Sequence, residues 1–275
     1  RGTYYGFWDD PERFAFFSKA ALEFLLKSHK RPDVIHTHDW QTALVPVLLY
    51  EMYAAAGLAH QRVCHTLHNF RHQGTTGPGI LQATGLNRPD YFGAPDRMGD
   101  EFDRHSINLM RGAILYSNVV TTVSPHHAWE ARHTDLGFGL GHALHLHQDK
   151  FVGILNGLDY EMWNPETDPH IPQHFGATTL DRKAANTAAL RERMLLRDGR
   201  RPILAYVGRL DTQKGLHLIR HALFYALEQD AQFVSAVPGV DLVLGGHEHE
   251  NWLMYRGPRF VPIVKADANV RSLAI

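Results

Sequence analysis

Arg209 and Lys214 stand in VGRLDTQKG (207–215), between an apolar run of strand type and the start of a helical pattern. A guanidinium fork for two oxygens beside an ammonium point charge makes a clamp for a diphosphate. Open α/β sheets bind ligands at the carboxyl ends of their strands, where the next helix adds backbone N–H donors and a partial positive charge. A surface Arg and Lys in a polar turn has the same spacing. HTLHNF (65–70) sets His68 and Asn69 at a second strand end. Either can hydrogen-bond a sugar hydroxyl, and His68 can carry or share a proton; a histidine bonded to the following loop is ordinarily the favoured reading. HTHDWQT (36–42) offers Asp39 and Trp40, a carboxylate to accept from hydroxyls beside an indole that can pack on a sugar ring. An N-cap Asp followed by a core Trp fits the same letters. Asn156 and Gly157 end a fourth strand in ILNGLDYEMWNP (154–165), where turn chemistry explains the pair as well. A fifth cluster, GGHEHE (245–250), holds His247 and His249 two residues apart after a strand, a common way to hold a divalent metal.

The elements that must position these groups alternate. Asp10 and Pro11 have the character of an N-cap and first helical residue, and Phe14, Phe17, Ala21, Phe24 and Leu25 follow at helical spacing, predicting a helix over 11–28. DVIHTH (33–38), RVCHTLH (62–68), NVVTTVS (118–124) and KFVGILN (150–156) read as strands, with helical stretches such as 40–53 between them. This order predicts a parallel sheet covered by helices. Residues 164–200 form a proline-rich connector ending in a helix. RPILAYVG (201–208) then opens a second βα unit, whose helix, from about Gln213 to Glu228, carries Leu216, Ile219, Leu223 and Leu227 on one face. Either AQFV or DLVLGG can supply its next strand, and PRFVPIVKA another.

With 275 residues, 44% hydrophobic and 21% charged, the chain suits one large or two modest globular domains. A formal charge of −1 gives no general case for nucleic acid or an anionic membrane as partner. The single cysteine, Cys64, sits in an apolar run and reads as a buried thiol in a reducing compartment. No apolar run is long enough to span a bilayer; the expectation is a cytoplasmic protein. Most of the 20 histidines are scattered singly, as polar residues rather than ligands.

Five segments together, HTHDWQTALVPVLL, TLHNFRHQG, TTVSPHHAWE, ILNGLDYEMWNPETD and VGRLDTQKGL, closely resemble the bacterial glycogen synthases and starch synthases, in order, through residues 1–234. The resemblance implies the α/β GT-B fold of two Rossmann-type lobes and transfer of glucose from ADP-glucose to the non-reducing end of an α-1,4-glucan, with retention. It implies that Arg209 and Lys214 bind the donor diphosphate and stabilise the leaving ADP, so that no metal or other cofactor is needed. His68 would contact the transferred glucose, and Asp39 would lie near donor and acceptor. Asn69, Trp40, Asn156 and Gly208 would line the substrates, Asn156 at the hinge. Residues 1–153 would belong to the N-terminal lobe and 154–234 to the hinge and the start of the C-terminal lobe. The family's Lys-x-Gly-Gly-Leu loop falls upstream of this sequence, and its late glutamate and glycine-rich segment have no counterpart after Val234. The expectation is therefore an interior piece of a synthase with little transferase activity alone. GVDLVLGGHEHE and PIVKADANVRSLAI, within residues 235–275, resemble the closing segment of 5′-nucleotidase-type metallophosphoesterases, joined at about Ser235. There His247 and His249 would be metal ligands, but the carboxylate and Asn-His partners of such a centre do not occur upstream. The alternatives to a glucosyltransferase are a metal-dependent phosphoesterase remnant and a non-catalytic glucan-binding remnant.

Overall fold

The computed structural model describes residues 2–197, 199–208, 211–237, 240–245, 252–256 and 261–265. The chain divides into two compact units, 1–157 and 158–275, four residues beyond the lobe boundary expected at 153.

In the first unit the helix α1 (Asp10–Lys27) leads into β1 (Val34–His38). A helical stretch follows, α2 (Leu44–Leu48) continuing as a wider π-type coil over Leu49–Leu58, and delivers the chain to β2 (Arg62–Leu67). Two short strands, β3 (Thr75–Thr76) and β4 (Ile107–Asn108), pair antiparallel around α3 (Gly79–Thr84) and α4 (Pro89–Phe92). The helix α5 (Leu109–Tyr116) precedes β5 (Val119–Thr122), and α6 (Pro125–His133) with α7 (Gly141–Leu146) precedes β6 (Phe151–Gly153). The main sheet is parallel throughout, in the order β1-β2-β5-β6.

Strand alternation decides which face is covered. Val63, His65 and Leu67 of β2 and Val120 of β5 turn to the core, packed with Leu22 of α1, Leu44 and Leu48 of α2 and Met110 and Ile114 of α5. His36, His38, Cys64 and Thr66 take the more open face. The entry to α1 differs from the sequence pattern. Asp9 is the N-cap, and Asp10 turns back so that Oδ2 accepts from the backbone N–H of Gly6 at 2.6 Å and of Phe7 at 3.0 Å.

The second unit holds α8 (Lys183–Arg193), β7 (Ile203–Val207), α9 (Leu216–Glu228), β8 (Gln232–Val237), β9 (Val240–Gly245), β10 (Trp252–Arg256) and β11 (Val261–Lys265), in the sheet order β10-β11-β9-β8-β7. The unit β7-α9-β8 is a parallel crossover, and Leu223 and Phe233 form a small core with Tyr206, Ile219 and Leu227 around them. AQFV is thus the strand that follows the helix. DLVLGG is not a second candidate for that place: it pairs antiparallel to β8, so this sheet is mixed. β11 pairs parallel to β9 and antiparallel to β10.

Candidate functional site

The carboxyl ends of β1 and β2 are tied together through Asp39. Its backbone N–H donates to the Thr66 carbonyl at 2.9 Å, and its Oδ1 accepts from the N–H groups of His68 at 2.7 Å and Asn69 at 3.3 Å. Among the described residues Oδ2 has no hydrogen-bond partner. Asp39 lies at φ 51° and ψ −174°, a region that is essentially glycine's. The side chain does not cap the short 3-10 turn Trp40–Thr42 that follows; its carboxylate is committed across the sheet instead. Asn69 is held in a turn of its own, with Oδ1 accepting from the Arg71 N–H at 3.0 Å.

His68 meets a partner that the spacing did not single out. His38 Nδ1 and His68 Nε2 are 3.1 Å apart, and the His36 ring lies 4.2 Å, centroid to centroid, from that of His38. Desolvation first, then the neighbouring His36 and His68, hold the His38 pKa below its ordinary value and favour the neutral ring. One nitrogen of the His38–His68 contact must donate and the other accept, which fixes the two tautomers as a pair. With Nε2 engaged, Nδ1 is the His68 nitrogen left for a further hydrogen bond. In His38→Ala the imidazole nitrogen resonances of His68 are expected to move from one tautomer towards a mixture, and any transfer activity to drop about tenfold, within the range of general acid–base effects. An unchanged His68 spectrum would remove the pairing.

Below this cluster His65 is fully buried and contacts Thr37 Oγ1 through Nδ1 at 2.7 Å, while Nε2 has no partner among the described residues. Burial, followed by the three other histidines, pushes its pKa down to about 3. The folded chain therefore refuses a proton that the unfolded chain takes up below the ordinary value of 6.5. Stability is unaffected above that pH and falls by about 1.4 kcal/mol per unit as pH drops from 6.5 towards the folded value. Between pH 7.5 and 5, His65→Gln is expected to lose about 2 kcal/mol less than the parent in urea unfolding. Parallel losses would mean that another group governs the acid limb.

Trp40 is half-buried rather than laid open. It packs against both core clusters, meets Phe14 edge-on at 5.0 Å, and lies so close to Gly74 that a Cβ there would fall 2.6 Å from its ring. Asn156 is exposed, three residues past the end of β6, which stops at Gly153 rather than continuing to 156. Gly208 follows β7 directly in the second unit. Lys214 does not open the long helix. It closes a 3-10 turn, Thr212–Lys214, capped by Asp211 Oδ1 accepting from Gln213 N–H at 2.9 Å. Gly215 then takes a left-handed conformation at φ 70°, and α9 starts at Leu216 with no side-chain cap and no acid in its first turn. The structure thus brings Asp39, His68 and Asn69 together in the first unit, with Trp40 beside them, while Gly208 and Lys214 belong to the second. Arg209, His247 and His249 lie outside the described residues. Among the described residues no group of three or more His, Cys, Asp or Glu is arranged to hold a metal ion, and no helix is long and apolar enough to cross a membrane.

Residues 1–146 match the starch synthase catalytic domain family. Over 235 residues the chain is 62% identical to the probable glycogen synthase 2 of Synechocystis sp., covering 85% of this chain and 48% of that protein. Glycogen synthase 1 of Synechococcus sp. (strain JA-2-3B'a(2-13)) is 53% identical over 96% of this chain and 58% of its own length. The solved catalytic domain of starch synthase IV from Arabidopsis thaliana, bound to ADP and acarbose, superposes with a TM-score of 0.79 at 47% identity, covering 86% of this chain and 48% of that one. The chain spans about half the length of the curated relatives it matches. The resemblance of residues 235–275 to a metallophosphoesterase gains no support from these relatives, and the match to the Synechococcus protein takes in nearly the whole chain.

Proposed function

We propose that this chain, which belongs to the glycogen and starch synthase family, transfers glucose from ADP-glucose to the non-reducing end of an α-1,4-glucan with retention. The observation that carries the reading is the close likeness, 47% identical with a TM-score of 0.79, to a starch synthase catalytic domain bound to ADP and acarbose. A nucleoside diphosphate and a glucan are the two ligand classes that the reaction brings together. In this reading the bond from the anomeric carbon to the diphosphate breaks, the 4-hydroxyl of the acceptor's terminal glucose forms the new bond, and its proton leaves with ADP. Arg209 and Lys214 hold the diphosphate and offset the charge that grows on it. His68 meets the transferred glucose through Nδ1, and Asp39 directs its second carboxylate oxygen to the sugar. Asn69, Trp40, Asn156 and Gly208 line the donor and acceptor. A cytoplasmic location goes with this reading.

The test is incorporation of radiolabelled glucose from ADP-glucose into glycogen, with the product digested by an enzyme specific for α-1,4 links. Label released as maltose supports the proposal. No incorporation from a preparation that also binds neither ADP nor glycogen overturns it, and faster incorporation from UDP-glucose reassigns the donor.

A further inference from the structure

The open face of the parallel sheet carries a row of polar side chains that ends at His68. It starts on the inner strand β5, where buried Thr121 stands opposite Thr66 of β2 in the register. The two hydroxyl oxygens are 2.7 Å apart. Thr66 Oγ1 also meets His36 Nε2 of β1 at 2.7 Å, although the residue opposite Thr66 in the register is His38. This diagonal contact brings the His36 ring beside that of His38, their centroids 4.2 Å apart and their planes inclined by 36°. His38 Nδ1 then meets His68 Nε2 at 3.1 Å. Side chains from three strands and the loop after β2 are thus joined in one line. His36, His38 and His68 are exposed, and an exposed ring turns among rotamers unless contacts offset the entropy of ordering it. Thr42 Oγ1 accepts from the His38 N–H and donates to the His38 carbonyl, at 2.7 Å each. Those bonds fix the His38 main chain and leave its ring to be bounded by His36 and His68. Among the described residues Thr66 is the hydrogen-bond partner of the His36 ring. One hydroxyl has one proton to give, so the direction of the Thr121–Thr66 bond decides whether His36 Nε2 donates or accepts.

We propose that Thr66 is a positioning residue for the glucosyl transfer: it orders His36, and through the His36 and His38 rings it holds His68 in one tautomer. Its place in catalysis rests on the reading of His68 as the group that meets the transferred glucose. A threonine between two strands also packs against its cross-strand neighbours, and that contribution belongs to stability alone. The hydroxyl, not the β-branched shape, carries the link to His68.

Two readouts on the full chain test this: the imidazole nitrogen resonances without substrate, and initial rates of glucose transfer from ADP-glucose to glycogen. Thr66→Val keeps the branched shape and strand preference and removes the hydroxyl. In this variant the nitrogens of His36 and His68 are expected to move from one tautomer towards a mixture. The kcat should fall about fivefold to tenfold, with KM for ADP-glucose within about twofold of the parent. Thr66→Ser, which keeps the hydroxyl, should restore both. His36→Phe, at an exposed position, breaks the same link without touching the packing between β2 and β5, and should shift His68 in the same way even where the valine variant does not fold. A His68 spectrum unchanged in Thr66→Val, or in His36→Phe where that is the variant that folds, overturns the proposal, as does a shift that serine fails to reverse. A shifted spectrum with kcat unchanged removes Thr66 from catalysis. A parent that transfers no glucose overturns the proposed reaction instead, and the ring spectra still decide whether Thr66 holds His68.

Discussion

Replacing Asp39 is expected to separate stability from catalysis, because this residue holds both a strained backbone and a structural clamp. In Asp39→Ala the strain at φ 51° remains while the bonds from His68 and Asn69 to Oδ1 are lost. Hydrogen bonds to a charged group contribute about 1.5–3 kcal/mol, so a loss of about 3 kcal/mol follows. Asp39→Gly loses the same clamp but relieves a strain of about 1–3 kcal/mol, and should fall only about 1 kcal/mol below the parent. Asp39→Asn keeps an acceptor in place and should stay within about 1 kcal/mol of it. Glucose transfer is expected to drop about 100-fold in all three, since each removes the negative charge that the proposed reaction sets against the sugar. Urea unfolding and transfer from ADP-glucose, measured on the same three proteins, check both halves. If Asn and Gly keep full transfer, Asp39 is a clamp for the β1 and β2 ends and has no part in the chemistry.

Much of this arrangement can be read from the letters, for identifiable reasons. The strands β1, β2 and β5 are short runs rich in β-branched residues that end in polar residues, and helix-compatible segments separate them, so their place and the parallel sheet are visible without coordinates. Strand direction in the second unit is not written in periodicity. AQFV and DLVLGG look alike, and only the letters Pro-Gly between them warn that β8 and β9 run antiparallel. Gly215 carried a similar warning within the run read as one helix, and the structure breaks there. Asp10 could not be assigned from spacing, because its acceptors serve Gly6 and Phe7 upstream of the helix.

The site divides along the same line. Asp39, His68 and Asn69 stand out as polar residues at strand ends. The partnership of His68 with His38 depends on the register that sets His38 opposite Thr66 on the neighbouring strand, which no local pattern shows. Gly74 is a local hint to the place of Trp40, since its lack of a side chain admits that ring. The clamp of Asp39 on the β2 end shows why the polar ends of β1 and β2 act together: moving the carboxylate moves the His68 backbone with it.

Lys214→Ala is expected to lower the rate of transfer about 10²- to 10³-fold, the loss seen when one charge-stabilising donor is removed from a transition state. The local structure explains why so much should rest on one side chain. A helix of 13 residues begins at Leu216, and its first turn has neither an acid nor a side-chain cap to answer its positive end. Gly215, in the left-handed region, ends the preceding turn and places Lys214 immediately before that end. An anion docked there would be met by the ammonium and by the uncapped N–H groups together. In the proposed reaction the negative charge on the diphosphate grows as the bond to the anomeric carbon breaks, so the lysine interacts more strongly with the transition state than with bound ADP-glucose. The effect should therefore appear mainly in kcat, with KM for ADP-glucose changed less than tenfold. Chelation with EDTA should leave parental transfer unchanged, and manganese should not restore the variant. A large rise in KM with kcat intact would make Lys214 a binding residue only, and full transfer in the variant would move the diphosphate away from the start of α9.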